Sequence, residues 1–314
     1  MIASLIVLLG MVLSVALTTL AERKVMGACQ RRIGPNKVGY VGLLQPFNAS
    51  LLLNYVADGI KLILKESVLP LESSNLLFFA MPFFTFYLAL LNWLVMPLDF
   101  GVAVGELVGG GLLVIVAISE LGIYGVIFSG WSANSKYPFL GALRSTAQMI
   151  SYSVGLSLIM LTVIFTLGTI DLLEVITAQR SVAVCFALFP MVGLFMISAK
   201  LNTISLTYLL PEAESELVSG FMTEHGAFPF ACFFLAEYCN MITISTLFGV
   251  LFFGISVASG AHIALLFFMI WLRASLARLR FDQLMSAFWS HMLPFLMGYI
   301  MFLPAFLYTF DILS

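Results

Sequence analysis

Long apolar runs separated by polar connections dominate this chain. Eight of them have the length that a helix needs to cross a bilayer, roughly 20 residues. They are residues 2–20, 76–97, 106–128, 142–168, 181–203, 229–254, 257–277 and 287–310. The runs lack the alternation of barrel strands, and backbone groups in hydrocarbon must be paired within their own segment, so the pattern indicates helices. We therefore expect an all-α integral membrane protein, a single polytopic domain over residues 1–314 with eight transmembrane helices.

Two segments near the N-terminus need separate interpretation. The run 2–20 has no basic segment before it and leads into TTLAERK rather than a small-residue cleavage site, which predicts a retained helix and not a signal peptide. Segment 44–66, LQPFNASLLLNYVADGIKLILKE, is too interrupted to span. Charged and apolar residues follow helical spacing in its second half, so we predict an interfacial amphipathic helix there. A lid or wall of a cavity at the membrane edge is the functional alternative.

Composition and charge support this architecture and orient it. Only 10% of residues are charged and 61% are hydrophobic, whereas soluble domains are about 25% charged. Eight spans put both termini on one side and the connections 21–75, 129–141, 204–228 and 278–286 on the other. Thirteen of the 14 Lys and Arg residues lie in or beside these four connections, and only Arg180 does not. This is the positive-inside pattern; a seven-span arrangement splits the basic connections between the two sides.

The charged connections differ from one another in sign. Residues 21–75 form a basic loop, a second basic patch is RASLARLRFD (273–282), and 204–228 is an acidic loop. The carboxylates of the acidic loop are Glu212, Glu214, Glu216 and Glu224. Topology control and lipid headgroup contact explain the Lys and Arg residues, but acidic residues contribute little to topology. The acidic loop therefore indicates a docking surface or a proton-handling loop.

Three carboxylates lie inside predicted spans: Glu106, Glu120 and Glu237. An ionisable group at mid-bilayer costs about 2.5–3.5 kcal/mol or more, so each raises a functional question. A buried ion pair or a hydrogen bond to helix backbone is the structural explanation. Carboxylates held near neutral pKa by burial can also carry protons, and three of them near an acidic loop favour a proton relay.

Cysteine and histidine give no metal or haem signal. Cys29, Cys185, Cys232 and Cys239 show no C-x-x-C spacing, and His225, His262 and His291 are scattered singly. We find no Gly-rich phosphate motif. The residues therefore support no metal site, and we expect no cofactor held by this chain and no nucleic-acid partner.

Six sequence blocks together resemble one family, membrane subunit 1 of mitochondrial respiratory complex I (NADH:ubiquinone oxidoreductase chain 1). In chain order they are ERKVMGACQRRIGPNKVGYVGLLQPF, ADGIKLILKE, SGWSANSKYPFLGALRSTAQMISY, LPEAESELVSGF, FFLAEYCNM and WLRASLARLRFDQLM. They occur in the family's order and are distributed along nearly the whole chain from residue 20 to residue 290. The eight-span topology is also that of the family.

The resemblance implies a core membrane subunit at the junction with the peripheral arm. Its partners are expected to be the peripheral quinone-module subunits, adjacent small membrane subunits, phospholipid and the substrate ubiquinone. The redox centres, iron–sulfur clusters, belong to neighbouring subunits. By resemblance, the quinone-chamber positions are Arg23, Arg32, Asp58 and Arg273. The coupling and proton-path positions are Glu212, Glu214, Glu216, Glu224 and Glu237. The expected location is the mitochondrial inner membrane, with both termini on the intermembrane-space side and residues 21–75 and 204–228 on the matrix side.

The chain also departs from the family pattern. Ser153 and Asn202 stand where the family has proton-path glutamates, and residues 48–56 form an apparent insertion. Glu120 stands where the family commonly has a small polar residue. We hypothesise that Glu120 restores a carboxylate from another helix, which requires it to lie near residues 153 and 202 rather than to face lipid.

Two alternative functions remain open from the sequence. The membrane subunit of a related membrane-bound hydrogenase has similar QRRIGPN and ADGIKL blocks, although SGWSANSKYPFLGALR favours the respiratory version. A carboxylate-based ion transporter is the other. Transporters usually show internal repeats and broken helices around a midplane site, and we identify neither.

Overall fold

The computed structural model of the protein describes residues 2–36, 61–62, 64–99, 102–103, 110–180, 183–207, 220–275 and 280–309. Its helices are α1 (Ile2–Cys29), α2 (Asn75–Val95), α3 (Gly111–Ser132), α4 (Lys136–Leu167), α5 (Leu172–Ala178), α6 (Val184–Ala187), α7 (Phe189–Thr207), α8 (Ala227–Phe248), α9 (Ala261–Ser275), α10 (Phe281–Ala287) and α11 (Leu293–Thr309). A π-helical turn, Gly249–Phe253, extends α8, and a second, Phe288–Met292, joins α10 to α11. Single 3-10 turns occur at Gly220–Met222 and Val257–Ser259.

Six helical segments of the described chain are long and apolar enough to cross a membrane. They correspond to the first, second, third, fourth, sixth and eighth predicted runs. The fifth and seventh runs contain shorter apolar helices, Phe189–Ala199 and Ala261–Ser275. A mostly helical, multi-pass architecture is therefore confirmed, whereas the count of eight spans stays a prediction. Of the predicted interfacial segment 44–66, residues 44–60 and 63 lie outside the described residues. Lys65 N–H donates to the Lys61 carbonyl at 3.1 Å, the hydrogen bond that an α-helix makes between residues four apart.

Several helix boundaries differ from the apolar runs. α1 continues past residue 20 to Cys29, because AERKVM consists largely of good helix formers. The helix ends at Cys29. Arg31, two residues later, has a left-handed φ of 57° and is followed by Gly34 and Pro35. α3 begins only at Gly111, so Glu106 precedes that helix and lies outside the described residues.

The start of α7 has a clear sequence cause. Pro190 lacks a backbone N–H and is tolerated only in the first turn of a helix, and α7 begins at Phe189. The short helix α6 before it is separated by Leu188, whose φ and ψ of −108° and 35° are not helical. The predicted run 181–203 is therefore interrupted at its N-terminal end.

The core is built around α8, which packs against α1, α2, α7 and α9, while α3 packs against α2 and α4. Three rings at the α7–α8 contact, Phe195, Phe248 and Phe252, lie 5.4–5.5 Å apart between centroids. α2 and α3 approach closely at Gly125, where a Cβ would lie 2.1 Å from Thr85 Cγ2. A residue with a side chain at this position would clash with Thr85, so either that side chain or the two helices would have to shift.

A short two-stranded ribbon, absent from the sequence prediction, follows α2. Strand β1 (Pro97–Asp99) pairs antiparallel with β2 (Val102–Ala103), with Pro97 opposite Ala103. Two or three residues are too few to display the period-two alternation by which strands are recognised. β1 also contacts the 3-10 turn Val257–Ser259.

The polar connections near the N-terminus of α4 gather at one end of the bundle. Ser74 N–H donates to the Ser132 carbonyl at 3.1 Å, and Asn134 Nδ2 donates to the Glu72 carbonyl at 3.3 Å. Ser135 Oγ donates to Glu224 Oε1 at 3.4 Å. The segments before α2, between α3 and α4 and before α8 therefore meet, as chain reversal at each span requires.

Candidate functional site

A buried ionic cluster joins three helices near the end of α1. Arg273 Nη1, from the last turn of α9, lies 2.6 Å from Glu22 Oε1 of α1. Tyr238 Oη of α8 donates a hydrogen bond to the other carboxylate oxygen, Glu22 Oε2, at 2.6 Å. The side chains of Arg273 and Glu22 are only 10% and 4% exposed. Both oxygens of Glu22 thus have a charged or polar partner.

Burial makes this cluster sensitive to loss of either partner. Moving two charges out of water carries a desolvation penalty that their attraction offsets only in good geometry, and removal of one partner typically costs about 3–5 kcal/mol. Tyr238 adds a charge-assisted hydrogen bond, which is stronger than a neutral one. The three helices are therefore held together by a pair of opposite charges buried in a low-dielectric site.

The cluster adjoins a second buried carboxylate, Glu237. Glu237 precedes Tyr238 in α8, and adjacent helical residues point about 100° apart, so the two side chains project from different faces of the helix. Glu237 is 4% exposed. Neither of its carboxyl oxygens has a hydrogen-bond partner within the described part of the chain. This group was predicted as a proton-path residue, and that role stays a prediction.

Glu237 faces a cleft between four helices. The cleft has an empty volume of about 790 Å³, counted out to its open mouth, and α2, α3, α4 and α8 all contribute to its lining. Glu120 of α3, Ser153 of α4 and Glu237 all line it. The structure thus places Glu120 near residue 153, as the compensation hypothesis requires. The side chain of Asn202 lies outside the described residues, so that half of the hypothesis stays a prediction.

The other basic chamber candidates lie on exposed surface. Arg23 is exposed on α1, and Arg32 is exposed on the turn that follows it. Arg32 Nε donates to Gln30 Oε1 at 2.8 Å, and its backbone N–H donates to the Gly27 carbonyl at 2.9 Å. Of the predicted chamber arginines, Arg273 is therefore the buried one.

The acidic-loop and chamber candidates are described only in part. Asp58, Glu212, Glu214 and Glu216 lie outside the described residues. Glu224 is described, is partly buried, and accepts the hydrogen bond from Ser135 at the start of α4. The C-terminal part of the acidic loop is thereby attached to the α3–α4 connection.

His225, which the sequence pattern presents as an isolated histidine, is buried beside Glu224. Its ring stacks on Phe78 with centroids 4.0 Å apart and meets Phe233 edge to face at 5.3 Å. Burial lowers the pKa of His225 to about 4, and the nearby Ser129 carbonyl offsets part of that effect. Neither ring nitrogen makes a hydrogen bond of ordinary geometry to a described residue. The ring is therefore neutral at physiological pH.

The roles of Glu22 and Tyr238 were not predicted from sequence. A signal for Glu22 existed, because it is the first charge after a long apolar run and continues the helix. Tyr238 carries no comparable signal beyond its position next to Glu237. Among the described residues, no three His, Cys, Asp or Glu side chains are grouped so as to hold a metal ion.

Comparison with known proteins gives a consistent result over nearly the full chain. The family model described as NADH dehydrogenase matches residues 2–304. The chain is 50% identical over 309 residues to NADH-ubiquinone oxidoreductase chain 1 of Hyaloraphidium curvatum, covering 98% of this chain and 99% of that one. It is 44% identical to the protein of the same name from Mycosarcoma maydis, with 98% and 96% covered. It is 43% identical to the protein of that name from Chondrus crispus, with 97% and 95% covered.

Proposed function

Because this chain belongs to the NADH dehydrogenase family, we propose that it forms the entrance and one wall of the ubiquinone chamber and links quinone reduction to proton movement. The chain is a subunit of the proton-translocating NADH:ubiquinone reductase of the respiratory chain. The observation that carries the proposal is the buried cluster of Glu22, Arg273 and Tyr238 next to Glu237. It couples a charged site at the end of α1 to a membrane carboxylate.

The proposed chamber is lined or supported by Arg23, Arg32, Asp58 and Arg273. Ubiquinone enters between α1, the predicted interfacial helix 44–66 and α8. Cationic side chains favour the anionic quinone species that forms on reduction, because charge-assisted hydrogen bonds are about twice as strong as neutral ones. Arg273 is the central residue, since its burial leaves little water to screen its charge.

The proposed coupling step begins when negative charge arrives beside Arg273. That charge competes with Glu22 for the guanidinium and draws a proton onto nearby carboxylates. Tyr238 contacts Glu22 directly, and Glu237 adjoins it on the same helix. The acidic-loop residues Glu212, Glu214, Glu216 and Glu224 are proposed to respond in the same way and to pass the change to membrane carboxylates and onward to neighbouring subunits.

The proposal includes a definite topology and set of partners. The protein is a multi-pass inner-membrane protein, and we place eight spans in it, with both termini on the intermembrane-space side. The two shorter apolar helices within α7 and α9 are the fifth and seventh spans. The matrix connections contact the peripheral quinone-module subunits. Small membrane subunits and phospholipid cover the exposed apolar side chains of helices such as α11.

The experiment compares Arg273→Met with Arg280→Met in the assembled complex. Arg280 is a matched control, because it forms an exposed ion pair with Asp282. We expect R273M to raise the KM for ubiquinone about tenfold or more, since a hydrogen bond to a charged group contributes about 1.5–3 kcal/mol. R280M is expected to leave the KM unchanged. Equal KM values for R273M and wild-type complex, with assembly intact, would refute a chamber role for Arg273.

A further inference from the structure

The acidic loop ends in a short connection to α8, residues 220–227, which we call the latch segment. Its first residue, Gly220, has a left-handed φ of 60° and contacts Gly141 of α4 so closely that a Cβ on Gly141 would lie 2.6 Å from the Gly220 Cα. A single 3-10 turn follows. α8 then begins at Ala227 and contributes Tyr238 to the buried ionic cluster. The latch segment therefore connects the acidic loop directly to a helix of that cluster.

His225 lies near the end of the latch segment, and aromatic contacts hold its ring. The residue is 4% exposed, stacks on Phe78 of α2 and meets Phe233 of α8 edge to face. Neither ring nitrogen has a hydrogen-bond partner of ordinary geometry among the described residues. Burial of polar atoms without hydrogen bonds is unfavourable, and such a group in a native structure is a candidate for a functional role. An apolar ring would occupy this position at lower energetic cost.

The backbone of the latch segment is strained where it enters α8. Ala227 has a left-handed φ of 57°, a conformation that residues with a Cβ rarely adopt. Such residues persist only where the surrounding structure imposes the conformation, and they occur preferentially in switch regions and binding sites. The nearby side-chain contact is weak, because Ser135 Oγ donates to Glu224 Oε1 at 3.4 Å, longer than an ordinary O–H···O bond. Backbone strain and an unpartnered ring thus occur together in the latch segment.

Protonation distinguishes the buried position of His225 from an exposed one. In the pocket between Phe78 and Phe233, burial lowers the pKa of the ring to about 4, because a charged imidazolium is poorly solvated there. A ring in water has a pKa of about 6.5, and the neighbouring Glu224 carboxylate favours its charged form. The buried arrangement therefore has its full stability above about pH 6.5 and loses stability as the pH falls from there towards 4.

The shift in the pKa of His225 arises from burial and not from a neighbouring charge. The titratable side chains on the elements around the latch segment are Glu72 before α2, Lys136, Tyr137 and Arg144 on α4, Cys232 on α8, and Glu224 of the latch segment itself. The part of α2 beside Phe78 (75–86) and the part of α3 beside Ser129 (125–132) contain none. Proton uptake by His225 is therefore coupled to exposure of its ring and not to another titration.

We propose that the latch segment is a pH-sensitive switch, in which His225 takes up a proton from water, leaves its aromatic pocket and pairs with Glu224. In the closed state the neutral ring fixes the C-terminal end of the acidic loop against α2, α3 and α4. In the open state the imidazolium is solvated, Ala227 leaves its left-handed conformation and Gly220 separates from Gly141. Opening binds one proton and closing releases it. Acidification on the side of the acidic loop therefore loosens the attachment of that loop to α8.

This inference rests on the proposed function for its consequence, because the latch segment joins the proposed coupling loop to α8. The opening itself is a change of position and is measured without catalysis. A pH-dependent opening found together with an unchanged KM in R273M supports the switch and refutes the chamber role. The reverse pair of results overturns the switch and leaves the chamber role standing.

The test measures how fast N-ethylmaleimide labels Met222→Cys in the assembled complex. Met222 is 2% exposed, so a thiol at this position reacts only when the latch segment opens. The same substitution combined with His225→Phe is the matched control, because Phe keeps the ring contacts but cannot bind a proton. The ratio of the two rates at each pH removes the pH dependence of thiolate formation. We expect this ratio to rise about tenfold between about pH 7.5 and pH 5.5, as a pKa of about 6.5 for the exposed ring requires.

His291→Phe removes an exposed histidine outside the latch segment and is expected to leave this increase unchanged. A ratio that does not change with pH overturns the switch, as does an increase that disappears in the His291→Phe background. Should His225→Phe not assemble, the labelling rate of Met222→Cys alone is divided by that of free N-acetylcysteine in the same buffer. An increase of this quotient by about tenfold supports the switch, and a constant quotient overturns it.

Discussion

The buried pair between Glu22 and Arg273 gives the sharpest energetic prediction. Its charged atoms are 2.6 Å apart and the side chains are 4% and 10% exposed, whereas the pair between Arg280 and Asp282 is 3.3 Å apart and more than 70% exposed on each side. Removal of one buried partner is expected to cost about 3–5 kcal/mol, and removal of one exposed partner less than about 1 kcal/mol. Glu22→Gln and Arg273→Met should therefore each lower the midpoint temperature of thermal inactivation of the complex.

The double variant separates this explanation from simple loss of packing. In E22Q/R273M neither charge is left buried without its partner, so the double variant should be more stable than the sum of the two single effects predicts. We expect a coupling free energy of about 1–3 kcal/mol, within the range for residues in direct contact. Thermal inactivation of assembled complex, followed by inhibitor-sensitive activity, measures it. Strictly additive effects would refute the argument, as would an equal loss of stability in R280M.

Three further predictions follow from individual contacts. Tyr238→Phe removes the hydrogen bond to Glu22 Oε2 and is expected to destabilise the complex by about 1.5–3 kcal/mol. The same thermal assay measures this effect. Tyr124 is exposed, so the control Tyr124→Phe is expected to have no effect. Gly141→Ala places a Cβ 2.6 Å from Gly220 Cα, and this overpacking is expected to lower the stability of the complex by about 1–3 kcal/mol. A Cβ at Gly193 would have nothing within 4 Å, so Gly193→Ala should be neutral or slightly stabilising. Equal stabilities of these two variants would contradict the close contact at Gly141. Burial lowers the pKa of His225 from 6.5 to about 4, so the neutral ring contributes its full stabilisation above pH 6.5. Up to about 3 kcal/mol of that stability is lost as the pH falls through 6.5 towards 4. His225→Phe should therefore flatten the pH dependence of thermal stability in this range, and an unchanged profile would show that another group titrates.

Much of the architecture was accessible from sequence because it depends on local pattern. The apolar runs predict the six long spans, and the ten-residue offset of Glu237 from the start of α8 is consistent with a carboxylate well inside a span. Run boundaries were less accurate where local helix preference and proline decide them. AERKVM extends α1 beyond its apolar part, and Pro190 delays the start of α7.

The pairings within the site could not be predicted in the same way. Glu22 and Arg273 lie at opposite ends of the chain, and nothing in the spacing of either residue indicates that they meet. The stacking of His225 on Phe78 likewise depends on how α2 packs beside α8. Resemblance to the family predicted site roles for Arg273 and Glu237, and those roles stay predictions. That Glu120 and Ser153 line the same cleft emerged only from the packing of α3 against α4.

The measurement that tests the central claim most directly is the number of protons translocated per NADH oxidised, in sealed membranes containing wild-type or Glu237→Gln complex, with a quinone-site inhibitor as control. If this chain links quinone reduction to proton movement through Glu237, wild-type membranes should pump protons in an inhibitor-sensitive manner. E237Q membranes should then lose that pumping while NADH oxidation by a water-soluble acceptor continues. Undiminished pumping per NADH in E237Q, with ubiquinone still reduced at the wild-type rate, would contradict the account.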